Sequence, residues 1–128
     1  MALTHVTALR NAIADAVDNY LNTTGSTDAG GDLVIKDAAV ILSTHAFANP
    51  AFGAASSGVI TLASVPIDAS AGNTGTADAF AIRDRDNADA ITGTVTATSG
   101  GGDIEVTNTS ITSGQTVSLT SLTYTAPT

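Results

Sequence analysis

In the first stretch of the chain, apolar residues recur every three or four positions. In "THVTALRNAIADAVDNYLNTTG" the larger ones are Val6, Leu9, Ile13, Val17, Tyr20 and Leu21, and Arg10, Asn11, Asp15, Asp18, Asn19 and Asn22 fall largely off that stripe. This spacing follows one face of a 3.6-residue repeat and predicts an amphipathic helix over about residues 4–22. Thr4 is the N-cap candidate, because its hydroxyl can accept an open N–H of the first turn. Gly25 is the candidate stop, after the polar run Asn22-Thr23-Thr24. A helix of about 17 residues spans ~25 Å. Such a stripe most often packs on the chain's own sheet. The alternative is docking on a neighbouring subunit, by which a chain with few large side chains gains core.

After the loop Gly25–Gly31 the period drops to two. "DLVIK" (32–36) and "VILST" (40–44) are short apolar runs around "DAA", and "GVITLASVPID" (58–68) is another, with Pro66 marking an edge or an end. "ADAFAIRD" (77–84) sets Phe80 and Ile82 against Ala and Arg. "AITGTVTAT" (90–98) places Ile91, Gly93, Val95 and Ala97 on one face and Thr92, Thr94 and Thr96 on the other. "GDIEVTN" (102–108) turns Ile104 and Val106 inward. In "QTVSLTSLTYT" (115–125) Val117 and Leu119 share a face, while Leu122 and Tyr124 fall on the opposite one. A bulge near Thr120–Ser121, or cover on both faces, accounts for that change of phase. "SGGGD" and "TSITSG" suit a meander of the last three strands. The expected fold is mainly β: an antiparallel sandwich or jelly-roll-like barrel of seven to eight strands over residues 32–125, with one N-terminal helix, in a single domain of residues 1–128.

Composition makes that core a light one. Ala, Thr, Gly and Ser supply 67 of the 128 residues, and aromatics only 4%. "AFGAASSGVITLA" (51–63) shows the consequence. Gly53 and Gly58 punctuate it, and Phe52 is its one large residue before Val59, Ile60 and Leu62 enter a strand expected to be buried on both sides. Phe52 fills either its own sandwich or a neighbour's surface; a lone apolar residue flanked by Ala suits its own core. Val6, Leu9, Ile13 and Phe52 are therefore the candidate interface residues.

Charge narrows the partners. Twelve acidic residues against four basic ones give a net charge of -8. Arg10, Lys36, Arg83 and Arg85 cannot form the cationic footprint that nucleic acid needs, and anionic membrane surfaces are disfavoured for the same reason. No apolar run approaches the ~18 residues that cross a bilayer. "MALTHVTALRN" lacks the apolar core of a secretory signal, so synthesis in a cytoplasm is expected. With no cysteine there is no disulfide framework and no thiolate metal site.

Candidate chemistry is sparse. A hydrolase triad needs a nucleophile, a base and an orienter. His5 and His45 are the only histidines, neither stands in a catalytic signature, and no G-x-S-x-G elbow occurs around Ser56 or Ser57. "DRDNAD" gathers Asp84, Asp86 and Asp89, which hard cations favour. However, Ala88 occupies a ligand position of a calcium loop and the closing Glu is missing, so polar turn chemistry is the better reading. "GGDLVIK" and "SGGGD" lack the rest of a phosphate loop and read as turns. No cofactor is implied.

Four stretches resemble a known group: "ALRNAIADAVDN", "PAFGAASSGVIT", "DASAGNTGTADAFAIRD" and "GTVTATSGGGDIEVTNTSITSGQTVSLTSLTYT". Together they cover most of the chain and are similar to small Ala/Thr/Gly-rich virion structural proteins of tailed bacteriophages. "LVIKDAAVILST" departs from the group's pattern after the helix. The resemblance implies a non-enzymatic virion component: a capsid decoration, or cement, protein on the head exterior, often trimeric, with the major capsid protein and its own copies as partners. A tail or tail-tip component, including a host-binding module, is the alternative. Few exposed aromatics or Arg are available to anchor a receptor.

Overall fold

A computed structural model of the chain describes residues 3–128; Met1 and Ala2, the first residues of the expected domain, lie outside it. Helix α1 runs from Thr7 to Thr23. It starts later than the sequence suggests: Thr4 is exposed ahead of it, and Val6 holds the N-cap position without a side-chain cap. Tertiary bonds tie this end of the helix to the last residues of the described chain. The His5 ring Nδ1 meets the Thr128 carbonyl at 2.9 Å, and Arg10 donates to the carbonyls of Pro127 and Ala126 at 3.2 and 3.3 Å. At the other end Thr24 is the C-cap, and Gly25 leaves the helix at φ +96°. A Cβ on Gly25 would lie 2.6 Å from Cγ of Asp86, so both conformation and space require glycine there.

Eleven strands follow: β1 (Asp32–Asp37), β2 (Val40–Ala46), β3 (Val59–Thr61), β4 (Ile67–Ser70), β5 (Gly75–Thr76), β6 (Ala79–Arg83), β7 (Asp89–Ala97), β8 (Ile104–Val106), β9 (Ser110–Ile111), β10 (Thr116–Leu119) and β11 (Thr123–Thr125). The count exceeds the expected seven to eight because several strands are only two or three residues long, too short for alternation to reveal. A five-stranded sheet has the order β2-β1-β6-β7-β8, and β4–β10, β3–β11 and β5–β9 form separate ladders. The fold is mainly β and sandwich-like, as expected.

One ladder departs from the antiparallel expectation. β8 runs parallel to β7, with Val95 opposite Ile104 and Ala97 opposite Val106, so the last strands do not form a meander. The return is held by threonines of β7, Asp103 of the loop and Glu105 of β8. Thr94 donates its N–H to Asp103 Oδ2 at 3.0 Å, Gly102 donates to Thr96 Oγ1 at 3.0 Å, and Glu105 accepts from Ser99 and Gly101. The change of phase near Thr120 also has its cause. β10 pairs with β4 and β11 with β3, so the chain changes ladder there, and Val117, Leu119, Leu122 and Tyr124 all reach the same core.

The core lies between Leu33, Ile35, Phe80, Ile82 and Val95 of the large sheet and Ile60, Leu62, Val117, Leu119, Leu122 and Tyr124 of the opposite ladders. β3 alternates, with Ile60 buried and Thr61 exposed, so it is covered on one face and not on both. β1 has buried residues on both faces, and its Asp32 carboxylate is neutralised by a two-pronged bond from Arg83 at 2.7 Å to each oxygen. Clefts of about 290 and 320 Å³ open beside this core, the first lined by Phe52, Phe80 and Tyr124 and the second by Ile35, Ile111 and Val117.

Candidate interaction surface

The helix docks by its polar residues. Ala14 and Leu21 are its buried side chains, and beside them runs the line Asn11, Asp15, Asp18 and Asn22. Each member of that line accepts a backbone N–H from the segment 51–58: Asn11 from Gly58 (2.7 Å), Asp15 from Ala55, Asp18 from Phe52 and Asn22 from Ala51 (2.9 Å each). Asn49 adds bonds from its side-chain amide to the carbonyls of Asn22 and Ala29. The small-residue loop thus lies antiparallel along the helix flank, its amide groups satisfied by helix side chains. A loop without regular pairing needs such partners once it is packed away from water. The signal for this line was present in the sequence as polar residues spaced four, three and four apart.

At 100° per residue, that polar line stands about 180° around the helix from Val6, Leu9, Ile13 and Tyr20. Val6, Leu9 and Tyr20 of the apolar stripe expected to cover the sheet are therefore turned outward, while Leu21 of the same stripe is buried. Val6 is 69% exposed, Leu9 48% and Tyr20 49%, and Leu3 ahead of them is 82% exposed. Ile13 and Val17 are half-buried and divide between core and surface. Alongside, Ile13, Ala16, Val17 and Tyr20 with Asp89, Ala90 and Ile91 of β7 line an open groove of about 530 Å³, apolar except for Asp89. Of the four candidate interface residues, Val6 and Leu9 lie on the surface, and Ile13 lies at its edge. Phe52 is buried in its own core, 3% exposed, bridged to Leu62 and edge-on to Phe47 at 6.0 Å between ring centroids.

The remaining candidate groups serve the fold. His45 is 1% exposed and Ser43 2%, with Ser43 Oγ 3.0 Å from Nε2 and the Ile67 carbonyl 3.0 Å from Nδ1. A carbonyl only accepts, so Nδ1 carries the proton and Nε2 accepts from the serine. The pair resembles a nucleophile and its base but is closed to any substrate, and burial pushes the imidazole pKa below its ordinary value. In "DRDNAD", Asp84 Oδ1 accepts from Asp86 and Ala88 within its own turn. Asp86 reaches across to accept from the Ser26 and Thr27 amides and the Thr27 hydroxyl, and these bonds hold its carboxyl below the usual range. The loop is polar turn chemistry, as read. Among the described residues, no group of three or more His, Cys, Asp and Glu side chains is placed to hold a metal ion. The Asp32–Arg83 pair, at 10% and 13% side-chain exposure, had no local sequence signal, and its hydrogen bonds raise the Arg83 pKa.

Among the described residues no helix is long and apolar enough to cross a membrane. No family model, no curated protein and no solved structure matches the chain.

Proposed function

We infer that this chain is a non-enzymatic structural component of a tailed-bacteriophage virion, a decoration protein that binds the outside of the head and ties neighbouring capsid subunits together. The observation that carries the reading is the helix. Its charged residues Arg10, Asp15 and Asp18 are all held in internal bonds, while Val6 at its N-cap and its Leu9 and Tyr20 side chains face out. A surface helix arranged this way suits assembly better than solvation. The resemblance in the four quoted stretches supplies the virion context. The light β framework also fits a clamp, since small side chains let other backbones approach closely.

The test is the location of the chain in purified particles. Density on the outer face of the head, and loss of head stability when the protein is omitted, are the expected results. Retention of the protein in isolated tails and its absence from heads would move it to the tail.

A further inference from the structure

The outward residues of α1 have a second regularity. Val6, Leu9, Ile13, Ala16 and Tyr20 are separated alternately by three and four positions. That is the a/d spacing of a heptad, the seam by which one helix packs against another. The positions used internally, Asn11, Ala14, Asp15, Asp18, Leu21 and Asn22, fall outside it, and Ile13 alone of the seam also touches the core. The helix thus has two contact faces that meet at Ile13, one occupied by its own fold and the other apolar and open.

We propose that this seam packs against the same seam of further copies of the chain, forming a short bundle of helices about a symmetry axis. The spacing favours a second copy as the occupant, because a heptad seam is completed by another helix of the same spacing. Each chain carries a net charge of -8, which opposes self-association in general and confines it to an uncharged patch. The helical seam carries no charge, Asp89 of β7 being the one acid along the groove beside it, and its flanks are Ala12 and Asn19 on one side and Arg10 and Val17 on the other. Arg10 is tied to the Ala126 and Pro127 carbonyls. Area agrees. Leu3, Val6, Leu9 and Tyr20, 48–82% exposed, present on the order of 500 Å² if a large side chain offers about 200 Å². Ile13, Ala16, Val17, Ala90 and Ile91 along the groove extend this toward the ~800 Å² per partner of a standard interface. The pairing rests on the helix alone and does not depend on the virion reading.

Sedimentation of the full chain tests it. The expected mass is a multiple of the monomer, falling to one chain in Leu9→Lys and in Val6→Lys with the circular dichroism and melting temperature retained. Val6 precedes the helix and is 69% exposed, so that variant leaves the core intact. The chain has no cysteine, which makes an introduced one unique. Ala16→Cys on the seam should oxidise to a disulfide-linked pair, and Ala39→Cys in the β1–β2 turn should not. A monomeric wild type at its highest soluble concentration, an oligomer that survives both lysine variants, or equal cross-linking at Ala39 would each overturn the proposal. Loss of particle binding in the lysine variants of a monomeric chain would assign the seam to a different protein.

Discussion

Asp18 Oδ1 accepts the backbone N–H of Phe52 at 2.9 Å, across 34 residues of chain. The bond joins the polar flank of the helix to the residue that plugs the core, so the helix and the small-residue loop hold each other in place. Replacing Asp18 by Ala leaves that partly buried N–H without its acceptor, at a cost of about 1–3 kcal/mol. Urea denaturation should show this loss, and the Phe52 amide should exchange faster with solvent. Asp18→Asn keeps an oxygen in place and should lose less. A change under ~0.5 kcal/mol in the alanine variant would mean that water substitutes for the carboxylate.

Phe52→Ala removes a ring that is 3% exposed and packed edge-on against Phe47. A cavity of that origin costs about 3–5 kcal/mol. The loss should be read in the isolated chain by equilibrium unfolding. An unchanged midpoint would return Phe52 to the list of surface contacts.

His45 links stability to pH. Its imidazole titrates near 6.5 when unfolded and lower when folded, because burial disfavours the charged ring more than the Ile67 carbonyl, Asp68 and Asp32 favour it. Between the two values the unfolded chain holds more protons, so stability rises with pH across that window. The contribution is complete above 6.5 and is lost as pH falls toward the folded pKa. Proton NMR of His45 should give a midpoint below 6.5, and urea unfolding at pH 7.5 and 5.5 should show the weaker fold at the lower pH. A midpoint above 6.5 would refute the assignment.

Gly58 has φ +78°, and a Cβ built there lies 2.7 Å from the Arg10 guanidinium carbon. Gly58→Ala should cost about 1–2 kcal/mol in backbone strain alone. It should also push Arg10 away from the carbonyls of Ala126 and Pro127. The double variant Gly58→Ala with Arg10→Ala should lose less than the sum of the two single changes, since the clash is then absent. Strict additivity would show that the guanidinium moves aside freely.

The sequence made the helix, its outward-inward asymmetry and most strand faces legible, but not which side of the helix faces the body. Apolar periodicity gives weight to Val6, Leu9 and Tyr20. The docking is decided instead by Ala14, small enough for close approach, and by polar acceptors whose partners lie 29 to 47 residues away. Side chain to backbone pairing of that range has no local pattern. Ile104 and Val106 were readable as inward residues from alternation. Their parallel alignment with β7 was not, because it depends on where Thr94 and Thr96 hold the returning loop. Two-residue ladders such as β5–β9 are too short for alternation to show. The "DRDNAD" turn was legible because Asp84 closes its own loop, while the reach of Asp86 to Ser26 and Thr27 was not.

The four acceptors on α1 also constrain something that substitutions do not touch. Asn11, Asp15, Asp18 and Asn22 meet Gly58, Ala55, Phe52 and Ala51 in strict sequence along the helix. Deleting or inserting a single residue between Asn11 and Asp15 would rotate one half of the helix by about 100° relative to the other. Acceptors on one side of the change would then leave their amides together, and the outward seam would split at the same point. The helix can vary in composition at many positions, but its length between Asn11 and Asn22 is fixed by the loop it carries.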